Sequence, residues 1–533
     1  MINRIIIKNY KSIQNLDLRL NDTMNILVGN NEQGKSTILE AINLALTGLL
    51  HRRSIHNELN PFIFNKEIVN RYICDVKRGS REKPPHILIE IYIQENEQTS
   101  HLKGTINSVR ENACGVKLEI EFNEEYSEEY EHYIESTSDI YNVPIEYYKV
   151  SWHSFASNAI TSRNVPVKCI LIDTTEGKTW NGPDRYISNV IGSTLDSKQR
   201  AALNFHFRDI KEQFSSIEAI SELNTALSQR TGEISEKNLA ISLDISQKNG
   251  WESNLIAYLD SIPFDLIGKG EQNSIKLKLS LEASENDAHV VLIEEPENHL
   301  SFTNLNKLVD QISSKCEGKQ IVLTTHSNYV LNKLGLDKVI LINNGNHMTL
   351  TDLNEDTYEY FKKLPGYDTL RLLLSEKAIL VEGPSDELIV QKAYLQKYNK
   401  LPIHDGIDVI TVRGLSFKRF LEIADKLKKQ VAVVTDNDGN VEQNIKNKYS
   451  EYLSHPTIKI CHSTDETLKT LEPQLVAVNE IQRMNNILGK EFSTKDDLIK
   501  YMTASGNKNE CALRIFDTEE VIVIPEYINE AIE

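Results

Sequence analysis

"MNILVGNNEQGKSTILEAINLALTG", residues 24–48, changes its period in the middle, and that change decides the fold of the N-terminal half. Residues 24–29 read as a short buried strand. After Ser36 the apolar residues Ile38, Leu39, Ala41, Ile42, Ala45 and Leu46 recur at helical spacing, with Gly48 as the C-cap. Between them "GNNEQGKS", residues 29–36, fits GxxxxGK[ST] in full, in the strand-to-helix context that the motif requires. Gly29 and Gly34 let the backbone curl so that its N–H groups face phosphate, and the helix N-terminus adds partial positive charge. Lys35 is placed to reach the β and γ phosphates, and Ser36 to ligate Mg²⁺. The loop Gly29, Asn30, Asn31, Gly34, Lys35, Ser36 and Thr37 is therefore expected to hold ATP.

Further along, "HVVLIEEPENHL" (289–300) runs an apolar strand into Glu294 and Glu295, and "VLTTHS" (322–327) ends another strand at His326. A strand end is a rigid place from which to present a metal-side carboxylate and a water-activating one. The order "IIIKNYKSI", "GNNEQGKS", "GKGEQN", "LIEEPE", "LTTHS" resembles the ABC-type ATPase heads of the SMC and RecF kind. That resemblance implies two heads sandwiching ATP. In it Glu294 supports Mg²⁺ and water, Glu295 polarises the attacking water and His326 senses the γ-phosphate, while Gly268, Gly270 and Gln272 form the signature loop. "IKLKLSL" after that loop alternates like a strand where the family has a helix. Residues 195–262 are polar with helical spacing and read as a helical insertion, too short for the family's long coiled coil. The tyrosine-rich "NEEYSEEYEHYIE" reads as a solvated face or loop.

From about residue 376 the pattern restarts as strand 377–381, helix 385–398, strand 407–412, helix 416–428 and strand 431–435, a βαβαβ run that marks a parallel sheet. "ILVEGPSDE" (379–387) and "VAVVTDNDGN" (431–440) put Glu382, Asp386, Asp436 and Asp438 at or just past the C-terminal ends of its strands, the usual edge for chemistry. Four carboxylates there repel one another unless cations sit among them. Oxygen-only ligation selects Mg²⁺ or Mn²⁺ over zinc, and two such ions stabilise both the attacking and the leaving oxygen of a phosphodiester. This glutamate-then-DxD pattern resembles the TOPRIM domain.

An ABC-type head followed by a TOPRIM domain is similar to the OLD (overcoming lysogenisation defect) family of nucleases, which includes Gabija-type and retron-associated members. The resemblance covers nearly the whole chain. It implies an α/β architecture: an SMC-like P-loop ATPase head over residues 1–370, with the insertion at 195–262 a site for dimerisation, then a TOPRIM nuclease domain over 371–533. Glu382 and Asp386 belong by this resemblance to one metal site, with Glu472 of "TLEPQL" as a further ligand, and Asp436 and Asp438 to the other. Lys508 of "GNKNECAL" stabilises transition-state charge. The implied activity is ATP-regulated, metal-dependent DNA cleavage in defence against phage, by a homodimer or larger homo-oligomer working with a partner such as a helicase, or a reverse transcriptase with its DNA/RNA product. An SMC-like ATPase without nuclease activity and a nuclease acting on RNA or tRNA remain alternatives. Little structure is expected beyond the catalytic domain after "IPEYINEAIE".

Composition bounds these readings. A length of 533 residues suggests two to four domains, and 26% charged residues is the range of a soluble globular protein. The six cysteines form no CxxC pair and read as free thiols in a reducing cytoplasm. No run approaches the length of a membrane span, and the first apolar run is too short for a signal peptide. A net charge of −18 argues against a general coating of nucleic acid, while leaving room for a carboxylate site beside a local basic groove.

Overall fold

Leu16 and Leu18 alternate with polar residues, and the strand Ile13–Arg19 that results turns them inward against Ile7 and Ile5 of the antiparallel strand Ile2–Tyr10. The computed structural model describes all residues except 31, 52, 80–82, 137–139, 162–163, 174–194, 215, 230–236, 238, 244–250, 252–256, 288, 316–317, 336–337, 344–345, 350–351, 364–370, 373–374 and 413–415. The opening hairpin continues through strands Ile87–Ile93, Ala113–Phe122 and Tyr148–Ser154 into an antiparallel sheet. The helix Lys35–Thr47 lies against it and buries Ile38, Leu39 and Ile42 in a core shared with Ile5, Ile7 and Leu18.

A second sheet lies beyond that helix. Its order is Cys169–Asp173, Val290–Glu294, Gln320–Thr324, Met24–Val28, Val339–Asn343, Asn346–Thr349, with only the last pairing antiparallel. The strand leading to His326 thus separates the P-loop strand from the strand leading to Glu294, and all three end at one edge. Helices Ser197–Phe214 and Glu218–Ser228 fall in the expected insertion and leave Phe205, Ile210, Ile217 and Leu223 exposed.

One local expectation is overturned and another is narrowed from a solvated face or loop to a solvated helix. "IKLKLSL" lies inside the 19-residue helix Lys269–Asp287, which buries Asn273, Ser274 and Leu277 on one stripe. The acidic tract forms a helix, Ser127–Ser136, anchored by buried Tyr130, whose hydroxyl lies 2.6 Å from that of Tyr72.

The C-terminal part is built on a parallel sheet ordered Ile407–Thr411, Lys377–Val381, Gln430–Val434, Ile458–Cys461, as the βαβαβ pattern predicts, with one more short strand. Val381 pairs with Val434, so the two acidic strand ends stand side by side. "IPEYINEAIE" itself contributes a packed helix, Glu526–Ala531, against strands Gln430–Val434 and Ile458–Cys461.

The two sheets share one core. Val28, Leu331, Met348 and Leu353 form a single buried cluster with Leu372, Leu380, Ile410, Phe417 and Phe420. Across this contact the Arg419 guanidinium sits 4.2 Å above the Tyr360 ring, and the Asn354 N–H donates to Glu422 Oε1. Arg371 is fixed by two hydrogen bonds to Asp408, at 3.0 and 2.6 Å, and buried Lys429 donates to the Leu372 and Ser375 carbonyls. The two parts are thus joined by packing as well as by the chain between them, of which residues 364–370 and 373–374 lie outside those described.

Candidate active sites

The P-loop owes its path to two glycines. A Cβ on Gly29 would fall 2.4 Å from the Ile342 carbonyl oxygen, and Gly34 has φ of +92°, a backbone state that side chains disfavour. The loop wraps Lys35, which is buried and donates to the Gly29 and Asn30 carbonyls at 2.8 Å each. Burial lowers the Lys35 pKa, opposed by the nearby carboxylates Glu295, Glu294 and Glu297. Ser36 is exposed at the helix start, Thr37 Oγ1 lies 3.0 Å from Ser12 Oγ, and Asn31 is outside the described residues.

Glu294 ends its strand and Glu295 follows at φ of +39°, a strained state for a glutamate. The Glu295 N–H donates to the Thr324 carbonyl at 3.1 Å, and its Oε2 accepts from Asn298 Nδ2 at 3.0 Å. His326 Nε2 lies 3.4 Å from Glu295 Oε1. Burial and then Lys35 push the His326 pKa down, so the imidazole is neutral at pH 7. Glu297, which the sequence reading passed over, accepts from Thr325 Oγ1, His326 N–H and Ser327 N–H. Gly270 sits in the first turn of the helix Lys269–Asp287, so close to the His299 carbonyl that a Cβ would stand 2.2 Å from its oxygen, while Gly268 is open to solvent.

In the C-terminal sheet, Glu382, Asp386, Asp436, Glu472 and Lys508 all line one cleft of about 220 Å³, with Ser385 and Asn509. Glu382 is tied back to the neighbouring strand: its Oε1 accepts from Thr435 Oγ1 at 2.6 Å and the Asp436 N–H at 2.9 Å. Asp386 stands in the first turn of the helix Pro384–Tyr398, begun by Pro384. Glu472 is 5% exposed and paired with Lys508 Nζ at 3.0 Å. Burial first, then the neighbouring carboxylates, push Asp386 up to about 7 and Asp436 up to about 9. Asp438 departs from the group: it is exposed at φ of +50° and does not line the cleft. Tyr527, also unforeseen, is buried with no partner for its hydroxyl, and burial plus Asp436, Asp386, Glu382 and Glu472 hold that phenol protonated.

Among the described residues no three His, Cys, Asp or Glu side chains close into a metal cage. An open cleft whose acidic groups offer only oxygen ligands, with Asp386 and Asp436 raised by burial, suits a hard divalent cation that keeps several waters. Among the described residues no helix is long and apolar enough to cross a membrane.

Residues 1–331 match the AAA ATPase domain family, and residues 373–438 match the Overcoming lysogenization defect protein-like TOPRIM domain. The chain is similar to Endonuclease GajA of Bacillus cereus, 22% identical over 472 residues that cover 81% of this chain and 74% of the relative. It is also similar to the DNA replication and repair protein RecF of Ruminiclostridium cellulolyticum, 39% identical over 98 residues, 18% of this chain and 25% of that protein. A solved SMC head bound to the C-terminal winged-helix domain of ScpA aligns over 66% of this chain and 99% of its own, at 16% identity and a TM-score of 0.36.

Proposed function

The chain belongs to the AAA ATPase domain family and joins that ATPase to an OLD-like TOPRIM domain, and from that premise we propose that it is a metal-dependent endonuclease of the OLD family whose cutting of DNA is governed by ATP. The observation that supports this most is the convergence of Glu382, Asp386, Asp436, Glu472 and Lys508 on one cleft from four separate segments of chain. The ATPase unit is residues 1–370 and the nuclease unit residues 371–533.

Glu382, Asp386, Asp436 and Glu472 would hold Mg²⁺ or Mn²⁺, whereas Asp438 lies outside the cleft. Bound there, the ions would supply Lewis-acid stabilisation to the oxygens of the scissile phosphate. The protein's own groups do the rest. Glu382 lines the cleft and is fastened through Oε1 to Thr435 and the Asp436 N–H, so it has little freedom left to lose on binding. Lys508 lines the cleft and would face the charge that grows on the phosphate, while its pairing with Glu472 keeps it aimed.

In the ATPase unit Lys35 would exchange the loop carbonyls for the phosphates, Ser36 and Glu294 would hold Mg²⁺, Glu295 would orient the attacking water and His326 would face the γ-phosphate. Gly270 belongs to a signature loop that meets the nucleotide of a second head, so the protein works as a homodimer or larger homo-oligomer. The apolar side chains Phe205, Ile210 and Leu223, exposed on the helices Ser197–Phe214 and Glu218–Ser228, support the same assembly. The core shared between ATPase and TOPRIM units gives nucleotide state a physical route to the cleft. The setting is the cytoplasm, the role is anti-phage defence, and the partner is a helicase or a reverse transcriptase with its nucleic-acid product.

Cleavage rates on matched DNA and RNA, without nucleotide, with ATP and with a non-hydrolysable analogue, test this reading. Preferential DNA cutting that changes with nucleotide is expected. Equal rates in all three nucleotide states, with and without the partner, would remove the coupling, and a preference for RNA would replace the substrate.

A further inference from the structure

The loop Thr325–Ser327 has no sheet pairing to set its path beyond a single bond from the Thr325 N–H to the Leu27 carbonyl at 3.3 Å. What fastens it is a side chain from the neighbouring strand end. Glu297 Oε1 accepts from Thr325 Oγ1 at 2.7 Å, the His326 N–H at 2.7 Å and the Ser327 N–H at 3.1 Å. Three donors on one carboxylate oxygen make a short, charge-assisted clamp. Thr325 is fully buried, and Glu297 Oε2 is buried without a hydrogen-bond partner, so water is kept from this contact. The clamp acts on the backbone of His326 itself, and the imidazole leaves that backbone toward Glu295, with Nε2 and Oε1 3.4 Å apart. The same turn holds Glu295 from its other side, where Asn298 Nδ2 donates to Oε2 at 3.0 Å.

We propose that Glu297 is a positioning residue for ATP hydrolysis: it fixes the backbone at His326, and through it the direction of the imidazole, without touching nucleotide. The role rests on the reading of Glu295 and His326 as ATPase residues. It goes beyond that reading because Glu297 is neither the water-activating glutamate nor a phosphate ligand. A side chain that acts only through His326 carries a definite signature. Its loss slows the chemical step while leaving the P-loop to bind nucleotide, and its loss has no effect once the imidazole is gone.

Steady-state ATP hydrolysis and equilibrium binding of a fluorescent ATP analogue, measured with Mg²⁺ on the full chain, test this. Glu297→Ala is expected to lower kcat by about 10-fold or more and to leave nucleotide affinity within about 3-fold. Glu297→Gln keeps an acceptor oxygen and is expected to recover most of the rate. Glu297→Ala combined with His326→Ala is expected to hydrolyse ATP at the rate of His326→Ala alone. Where Glu297→Ala fails to fold by thermal melting, Glu297→Asp, which keeps the charge and withdraws the oxygen, is expected to show the same loss of kcat at retained affinity. Losses that multiply in the double variant overturn the role, as does a glutamine variant no faster than alanine. A full-rate Glu297→Ala or Glu297→Asp chain beside a slow His326→Ala chain overturns the role alone. A full-rate His326→Ala chain removes the underlying reading and the role with it.

Discussion

Asp386 and Asp436 make the stability of the metal-free protein depend on pH, and a divalent cation should reverse that dependence. Burial and the surrounding carboxylates raise them to about 7 and about 9 in the folded chain, against about 3.9 when unfolded. A carboxylate raised on folding adds stability that is full below its unfolded value and lost as pH climbs through its folded value. Moving from about pH 6 to about pH 9 ionises this coupled pair against its folded-state preference and removes stability on the order of a few kcal/mol in all. A cation that binds the ionised pair restores this and releases protons. At about a hundred times its Kd it stabilises by about 2.7 kcal/mol, which for a unit of this size is roughly 5–10 °C. Thermal melts with EDTA, Mg²⁺ and Mn²⁺ across that range should show a metal shift near its full size above pH 8.5 and under about 2 °C at pH 6. Asp436→Asn, which keeps the shape and loses the charge, should flatten the metal-free pH dependence and remove most of the metal shift. An equal shift at both pH values, or a full shift in Asp436→Asn, would refute the reasoning.

Three other outcomes follow from the geometry. Lys35→Ala should weaken ATP binding by roughly 30-fold or more by equilibrium titration, whereas Glu295→Gln should bind normally and hydrolyse about 100-fold more slowly. Lys508→Ala should reduce DNA cutting by about 100-fold while leaving the metal-induced melting shift in place, because it removes charge stabilisation and no ligand. Phe205→Asp with Ile210→Asp should shift the protein to a smaller species in sedimentation, since both side chains stand exposed on the helix Ser197–Phe214 and a charge there opposes apolar association.

The P-loop and the acidic strand ends were legible because their chemistry is fixed locally. The spacing of Gly29, Gly34 and Lys35 specifies a backbone path, and Glu382 and Asp436 follow apolar runs short enough to be strands. "IKLKLSL" misleads because its seven alternating residues carry the period of a strand; Leu277 faces the core beside Asn273 and Ser274, which only the packed helix reveals. Asp438 shows the limit of spacing: its partner Asp436 lines the cleft, while the turn at Asp438 sends it to solvent. Tyr527 and the core joining Leu353 to Phe417 are products of tertiary packing between distant segments, and no local pattern around them carries the signal. Glu297 lay in plain view after the Glu-Glu pair, but its value comes from the loop 29 residues away whose N–H groups it binds.

Plasmid cleavage by the wild-type chain and by Asp436→Ala, with Mg²⁺ or Mn²⁺ and then with EDTA, tests the central claim most directly. Metal-dependent nicking or linearisation that EDTA abolishes, and that Asp436→Ala loses while keeping its fold and its ATP binding, is the predicted result. Cutting by Asp436→Ala at the wild-type rate, or undiminished cutting in EDTA, would contradict the assignment of the carboxylate cleft as the nuclease centre.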